Sequence, residues 1–223
     1  MPRHSLALGV LAILAVAPAW AATYVVDGQH PQAADENPGS TAERPFKTIG
    51  KAVRAVQPGD VVVIQPGVYR EAVARFHLRG SPERVTVFRA ATGESPVVSG
   101  ADVVTEWESA GGKVWAAPWP HRFVDAAIPL GWPEQAWKFP MNRKEAVFVD
   151  GCPLRPVATR EAMSPGSFFV DEQNGKLLVW LLDGGSPKEH TVEASVRGPL
   201  WRFQGCSHVR VEGLAFRDRK SVV

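Results

Sequence analysis

Phe46, Ile49, Val53 and Val56 fall at i, i+3, i+7 and i+10, with Lys47, Lys51 and Arg54 on the other side. That spacing predicts a short helix from about Phe46 to Val56 that buries one face only. The period then changes. After the turn residues Gln57 to Asp60, Val61–Ile64 is continuously apolar and β-branched, as a parallel strand buried on both faces would be. Pro66-Gly67 turns the chain before Val68 and Tyr69, and a second run, VTVFRA, begins at Val85, 24 residues (85 minus 61) after Val61. PVVSG follows after another short turn, and Thr23–Asp27 reads as a strand ahead of them all. Short strands at repeat spacing, without helices between them, predict coils of a parallel β-helix. Its first coil exposes a strand edge and the end of its core, and the amphipathic helix is placed to cover both.

From Trp107 to about Val196 the rhythm becomes one of hairpins. AVFVDGCPL, SFFVDEQNGKLLVWLLDGG and TVEASVR alternate strand-like runs with Asp-Gly, Asn-Gly and Gly-Gly turns, which predicts an inserted antiparallel β subdomain. LWRFQGCSHVRVEGLAFR, Leu200 to Arg217, then reads as the solenoid resuming in two short strands around a Gly-Cys-Ser turn. The expected organisation is a cap and first coils over 22–106, the insertion over 107–196 and a resumed coil over 197–217. Residues 218–223, DRKSVV, break the rhythm and equal the translation of a common sequencing adapter, so the reading frame is expected to continue elsewhere.

Composition narrows the class. The 223 residues are 45% hydrophobic and 22% charged, which is ordinary for a globular chain. Arg3 and His4 precede an apolar run from Leu6 to Val16, and Ala19-Trp20-Ala21 supplies small residues at cleavage spacing, so residues 1–21 are expected to be a signal peptide. The run is too short to span a bilayer core of about 30 Å as a helix. A secreted or periplasmic location follows, with no membrane association after cleavage. The mature chain carries 24 basic and 23 acidic residues, a net +1 that gives no reason to expect nucleic acid. Export permits a disulfide between Cys152 and Cys206 without requiring one.

YVVDG, NPGSTAERPFKTIGKAVRAVQPGDVVVIQPGVYRE, VFVDG, SFFVDEQNGKLLVWL and SHVRVEGLAFR resemble secreted bacterial proteins of the pectate-lyase-like superfamily. That superfamily includes polysaccharide lyases and some glycoside hydrolases. The resemblance covers most of the mature chain and implies an all-β fold: a right-handed parallel β-helix with a short capping α-helix, interrupted by the antiparallel insertion. It also implies a polysaccharide substrate or ligand and a monomeric protein. In such families the chemistry sits on later coils, where lyases place acidic calcium ligands and a Lys or Arg base. Abstracting a proton beside a uronate carboxylate needs that charge neutralised and a basic group within reach. Calcium is therefore an expectation for a full-length protein, while the catalytic residues stay unassigned and this stretch alone is expected to be inactive. Three functions remain open: a lyase acting on an acidic glycan, which leads, a non-catalytic carbohydrate-binding or adhesion module, and a glycoside hydrolase on the same scaffold.

The candidate substrate-binding residues are Trp115, Trp119, Trp132 and Trp137, which with Trp107 crowd one stretch and have flat faces suited to sugar rings. Core filling between insertion and solenoid is the weightier reading, because aromatics bury so much surface. Lys138, Arg143 and Lys144 lie near them and would suit an acidic sugar or, more simply, a solvated face. Asp150, Asp171 and Asp183 have the look of paired carboxylates for glycoside hydrolysis, yet each sits beside turn residues, where Asp bonds its own backbone. Asp35, Glu36 and Asn37 lack the alternate spacing of a calcium loop. His30, His77, His121, His190 and His208 show no metal-ligand spacing, so no metal site is expected.

Overall fold

The computed structural model describes residues 21–123, 130–131 and 145–218. Strand β1 (Thr23–Val26) is followed by a long loop and then by helix α1 (Ile49–Ala55). Strands β2 (Val61–Ile64), β3 (Val68–Tyr69) and β4 (Val73–Phe76) follow in one pass, and β5 (Thr86–Ala90) and β6 (Val97–Ser99) begin another. Parallel pairing joins β1 to β2, β2 to β5 and β3 to β6.

The helix is shorter than its hydrophobic stripe. Phe46 belongs to the sheet, bridging Val26 in parallel, and Thr48 caps the helix by accepting from the Lys51 amide at 3.1 Å. All four stripe residues are nonetheless buried with Ala52 in one apolar cluster that also takes in Val26, Val62, Ile64, Val73 and Phe88. Burying Ile49 and Val53 contributes about 1.5–3 kcal/mol each. The expectation of a strand buried on both faces fails at β2. Val62 and Ile64 point into the cluster and are fully covered, whereas Val61 and Val63 on the other face are half-buried.

Residues 71, 73 and 75 share one side of an extended chain, and all three meet α1. Glu71 accepts from the Ile49 and Gly50 amides at 2.8 Å each, Val73 packs in the cluster, and Arg75 donates to the Arg54 and Val56 carbonyls at the other end. The helix has no acid in its own first turn, so Glu71 supplies the negative charge its N-terminus favours. Gly50 permits the approach: a Cβ there would lie 3.0 Å from a Glu71 oxygen.

The next strands are antiparallel except for one short parallel pair. They are β7 (Ala101–Val103), β8 (Glu108–Ser109), β9 (Trp115–Pro118), β10 (Val147–Val149), β11 (Cys152–Pro153), β12 (Arg155–Pro156), β13 (Ser167–Asp171), β14 (Lys176–Trp180) and β15 (Val192–Ser195). One sheet runs β11-β10-β15-β7 and the other β12-β13-β14-β9-β8. Antiparallel pairing thus starts at Ala101, ahead of Trp107, because β15 returns to pair with β7. A second apolar cluster fills this region, with Phe168, Leu177, Val179, Val147 and Val192 at its centre. Arg70 ties it to the parallel strands, donating to the Ala101 carbonyl at 2.8 Å and pairing with the nearly buried Glu193 carboxylate at 2.6 Å.

The final stretch makes three strands rather than two: β16 (Trp201–Gln204), β17 (Val209–Glu212) and β18 (Ala215–Arg217). Each pairs in parallel with an earlier one, β16 with β4, β17 with β5 and β18 with β6. Two columns of side chains result: Val62, Phe88, Val211 in one sheet and Tyr69, Val98, Phe216 in another. Both begin buried and end exposed, Val211 at 38% and Phe216 at 45%. One end of the stack is sealed by α1, and among the described residues no strand pairs with the outer edges of β16, β17 and β18 at the other. Cys152 and Cys206 are both free, the first exposed on β11 and the second half-buried near Leu78, whose amide lies 3.4 Å from its sulfur.

Candidate functional site

Trp119 is 4% exposed, packed edge-on against His121 and Phe123 inside the second cluster, so its indole offers no open face to a sugar and serves packing. Trp115 is half-buried on β9, with the Lys188 ammonium 5.7 Å from its ring centre. Trp107 is 4% exposed and donates its indole N–H to the Val104 carbonyl at 2.9 Å. Trp132 and Trp137, with Lys138, Arg143 and Lys144, lie outside the described residues.

The three aspartates divide. Asp171 closes the β13–β14 hairpin by accepting from the Asn174 amide and side chain, which is turn chemistry. Asp150 and Asp183 meet at His190. Asp150 and Gly151 form the two-residue turn between β10 and β11, with φ of 49° and 79° as a type I′ turn requires. Because β10 pairs with β15, that turn lies beside the residues entering β15, and Asp150 accepts from the Thr191 amide at 2.9 Å. Its second oxygen lies 2.6 Å from His190 Nδ1, while Asp183 approaches Nε2 at 3.4 Å from the loop after β14. Asp183 is fixed by accepting from the Gly185 amide at 2.8 Å.

The imidazole is therefore flanked by two carboxylates. Hydrogen bonding to Asp150 raises the His190 pKa, and the same bond lowers that of Asp150. The imidazole stands between these carboxylates, in the place where the facing pair of a glycosidase, about 5–9.5 Å apart, holds the bond to be cut. They do border an open cleft of about 490 Å³ whose walls include Leu154, Leu181, Leu182 and Pro165. Sequence spacing hid this grouping, since Asp150 and His190 are 40 residues apart and are joined only by the pairing of β10 with β15.

Two of the three loop residues weighed as calcium ligands are otherwise engaged, and the third, Glu36, is exposed. Asp35 accepts from the Thr48 amide and hydroxyl, and the buried Asn37 side chain donates to the Gln32 and Pro45 carbonyls. Among the described residues no three His, Cys, Asp or Glu side chains are grouped to hold a metal.

Residues 32–91 match a protein family of unknown function, DUF1565. No curated protein matches the chain. Two solved structures are similar in fold. One, described as the complex structure of XylC with xylose, aligns with a TM-score of 0.70 and 21% identity over 88% of this chain and 35% of its own. The other, described as a glycoside hydrolase, gives 0.60 and 16% identity over 90% of this chain and 51% of its own. The chain thus spans about a third and about half of these two proteins. Their likeness extends to an all-β fold with parallel sheets.

Proposed function

We propose that this chain forms the capped first coils and side subdomain of a right-handed parallel β-helix, in an exported protein that acts on a polysaccharide. The observation that carries the reading is the pair of inward columns, closed by α1 at one end and exposed at Val211 and Phe216 at the other. Further coils pairing with β16, β17 and β18 would cover that end and extend the sheets into a groove for a linear glycan. The partial coverage of the two similar proteins supports the same extension.

Between the chemistries open to such a scaffold, hydrolysis of a glycosidic bond is favoured over β-elimination. Elimination needs a carboxylate beside the abstracted proton, and xylose, held by one of the similar proteins, has none. The other is described as a glycoside hydrolase. Fold likeness does not fix a reaction, so the test is chemical. Full-length protein is incubated with xylan, other neutral glycans, pectin and alginate, and new reducing ends are counted beside the ultraviolet absorbance of unsaturated products. Reducing ends without absorbance support hydrolysis, absorbance restores the lyase, and retention on a glycan without cleavage leaves the binding module. Of the four candidate tryptophans, Trp115 is the one among the described residues with part of its surface open, and it would stack on a bound sugar.

A further inference from the structure

The cleft beside His190 combines apolar walls with one polar edge. Leu181 is 2% exposed and forms part of the lining, while Leu182 stands 79% exposed at the cleft. Gly166 belongs to the same lining with φ of 77°, a left-handed backbone conformation that glycine adopts without strain. On the polar edge each carboxylate has about four lone-pair positions. Asp150 uses two, for His190 and Thr191, and Asp183 accepts from Gly185 beside His190, so both keep acceptor capacity. The volume lies in the range of about 300–1,000 Å³ usual for small-molecule sites.

We propose that this cleft binds a neutral sugar ring, its hydroxyl edge donating to Asp150 and Asp183 and its C–H face resting on Leu182. The paired carboxylates select against uronates and other acidic sugars, because a like charge brought beside them is repelled. The inference rests on the carbohydrate reading above and adds the place and class of ligand. The cleft is a recognition site apart from bond cleavage, since both carboxylates are engaged by the imidazole.

The test titrates the full chain with D-xylose, D-glucose and D-glucuronate, following the His190 ring signals by NMR and heats by calorimetry, in wild type, Leu182→Ser and Asp183→Ala. Leu182 and Asp183 are exposed, so both variants should melt as wild type does. The expected result is saturable movement of His190 by a neutral sugar, none by glucuronate, and affinity lowered about tenfold or more in Asp183→Ala, as loss of a hydrogen bond to a charged acceptor predicts. Leu182→Ser also weakens binding, and it carries the test if Asp183→Ala misfolds. Equal affinity in wild type and the folded variants overturns the proposal, as does glucuronate binding as tightly as a neutral sugar. If no sugar moves His190 while the protein is still retained on a polysaccharide column, the cleft is overturned and the carbohydrate reading stands. Absence of both effects overturns the two together.

Discussion

Glu71→Gln tests how the capping helix is held. The wild-type carboxylate presents one oxygen to the Ile49 amide and the other to the Gly50 amide, each at 2.8 Å. A glutamine keeps one acceptor and turns an N–H₂ group toward the second amide, leaving a partly buried donor unsatisfied. That costs about 1–3 kcal/mol, offset in part at neutral pH because the variant no longer buries a carboxylate charge. For a domain of this size each kcal/mol moves the melting temperature by about 2–4 °C, so the variant should melt several degrees below wild type by circular dichroism. The pH dependence has a definite sign. Burial, the largest influence, raises the Glu71 pKa despite the two amide bonds. A folded value above the unfolded one gives a contribution that is complete below the unfolded pKa and is lost as pH rises through the folded pKa. Glutamine does not titrate, so the gap between wild type and variant should be wider at the acid side of that window than at neutral pH. A variant melting within about 1 °C of wild type at both ends, or a gap that closes on acidification, would refute the reasoning.

Four further outcomes follow. Glu193→Ala leaves Arg70 without its partner at the junction of the parallel strands and the antiparallel sheets; Arg70 retains some solvent, so the expected loss is about 1–3 kcal/mol rather than the full cost of a broken buried pair, read by urea unfolding. Trp119→Ala should destabilise by about 3–5 kcal/mol as a buried aromatic truncation, whereas Trp115→Ala should cost less stability and, on the proposed function, weaken retention on a glycan. The His190 ring should titrate above the ordinary histidine value in an NMR pH series and fall back toward it in Asp150→Asn. The histidine's share of that stabilisation is present below its unfolded pKa and is lost as pH rises through the folded one, while the Asp150 share is lost as pH falls through that carboxyl's lowered pKa.

The helix and hairpins were legible because their signals are local. A 3.6-residue stripe over Phe46–Val56 and an Asp-Gly pair between apolar runs each name an element from neighbours in the chain. Errors arose where pairing over distance decides. Phe46 left the helix because Val26 was there to bridge, β7 joined the antiparallel sheet because β15 returned to it, and three strands formed after Leu200 because three earlier strands offered edges. The candidate site fared less well for the same reason. Trp119 and an exposed tryptophan look alike in a sequence, and Asp150 reads as a turn residue, which it is, until β15 brings His190 to its second oxygen. A weak trace was present: Glu71, Val73 and Arg75 alternate as acid, apolar and base, suited to clasp both ends of a helix laid across them.

The central claim, a parallel stack sealed by α1 and open at its far end, is tested most directly by inter-strand nuclear Overhauser contacts in the labelled protein. The account predicts backbone contacts in parallel register along Val62, Phe88 and Val211 and along Tyr69, Val98 and Phe216, with Ile49 and Val53 touching the β1–β2 end. Antiparallel contacts between β2 and β5, or a helix with no contact to Val73 and Ile64, would contradict it.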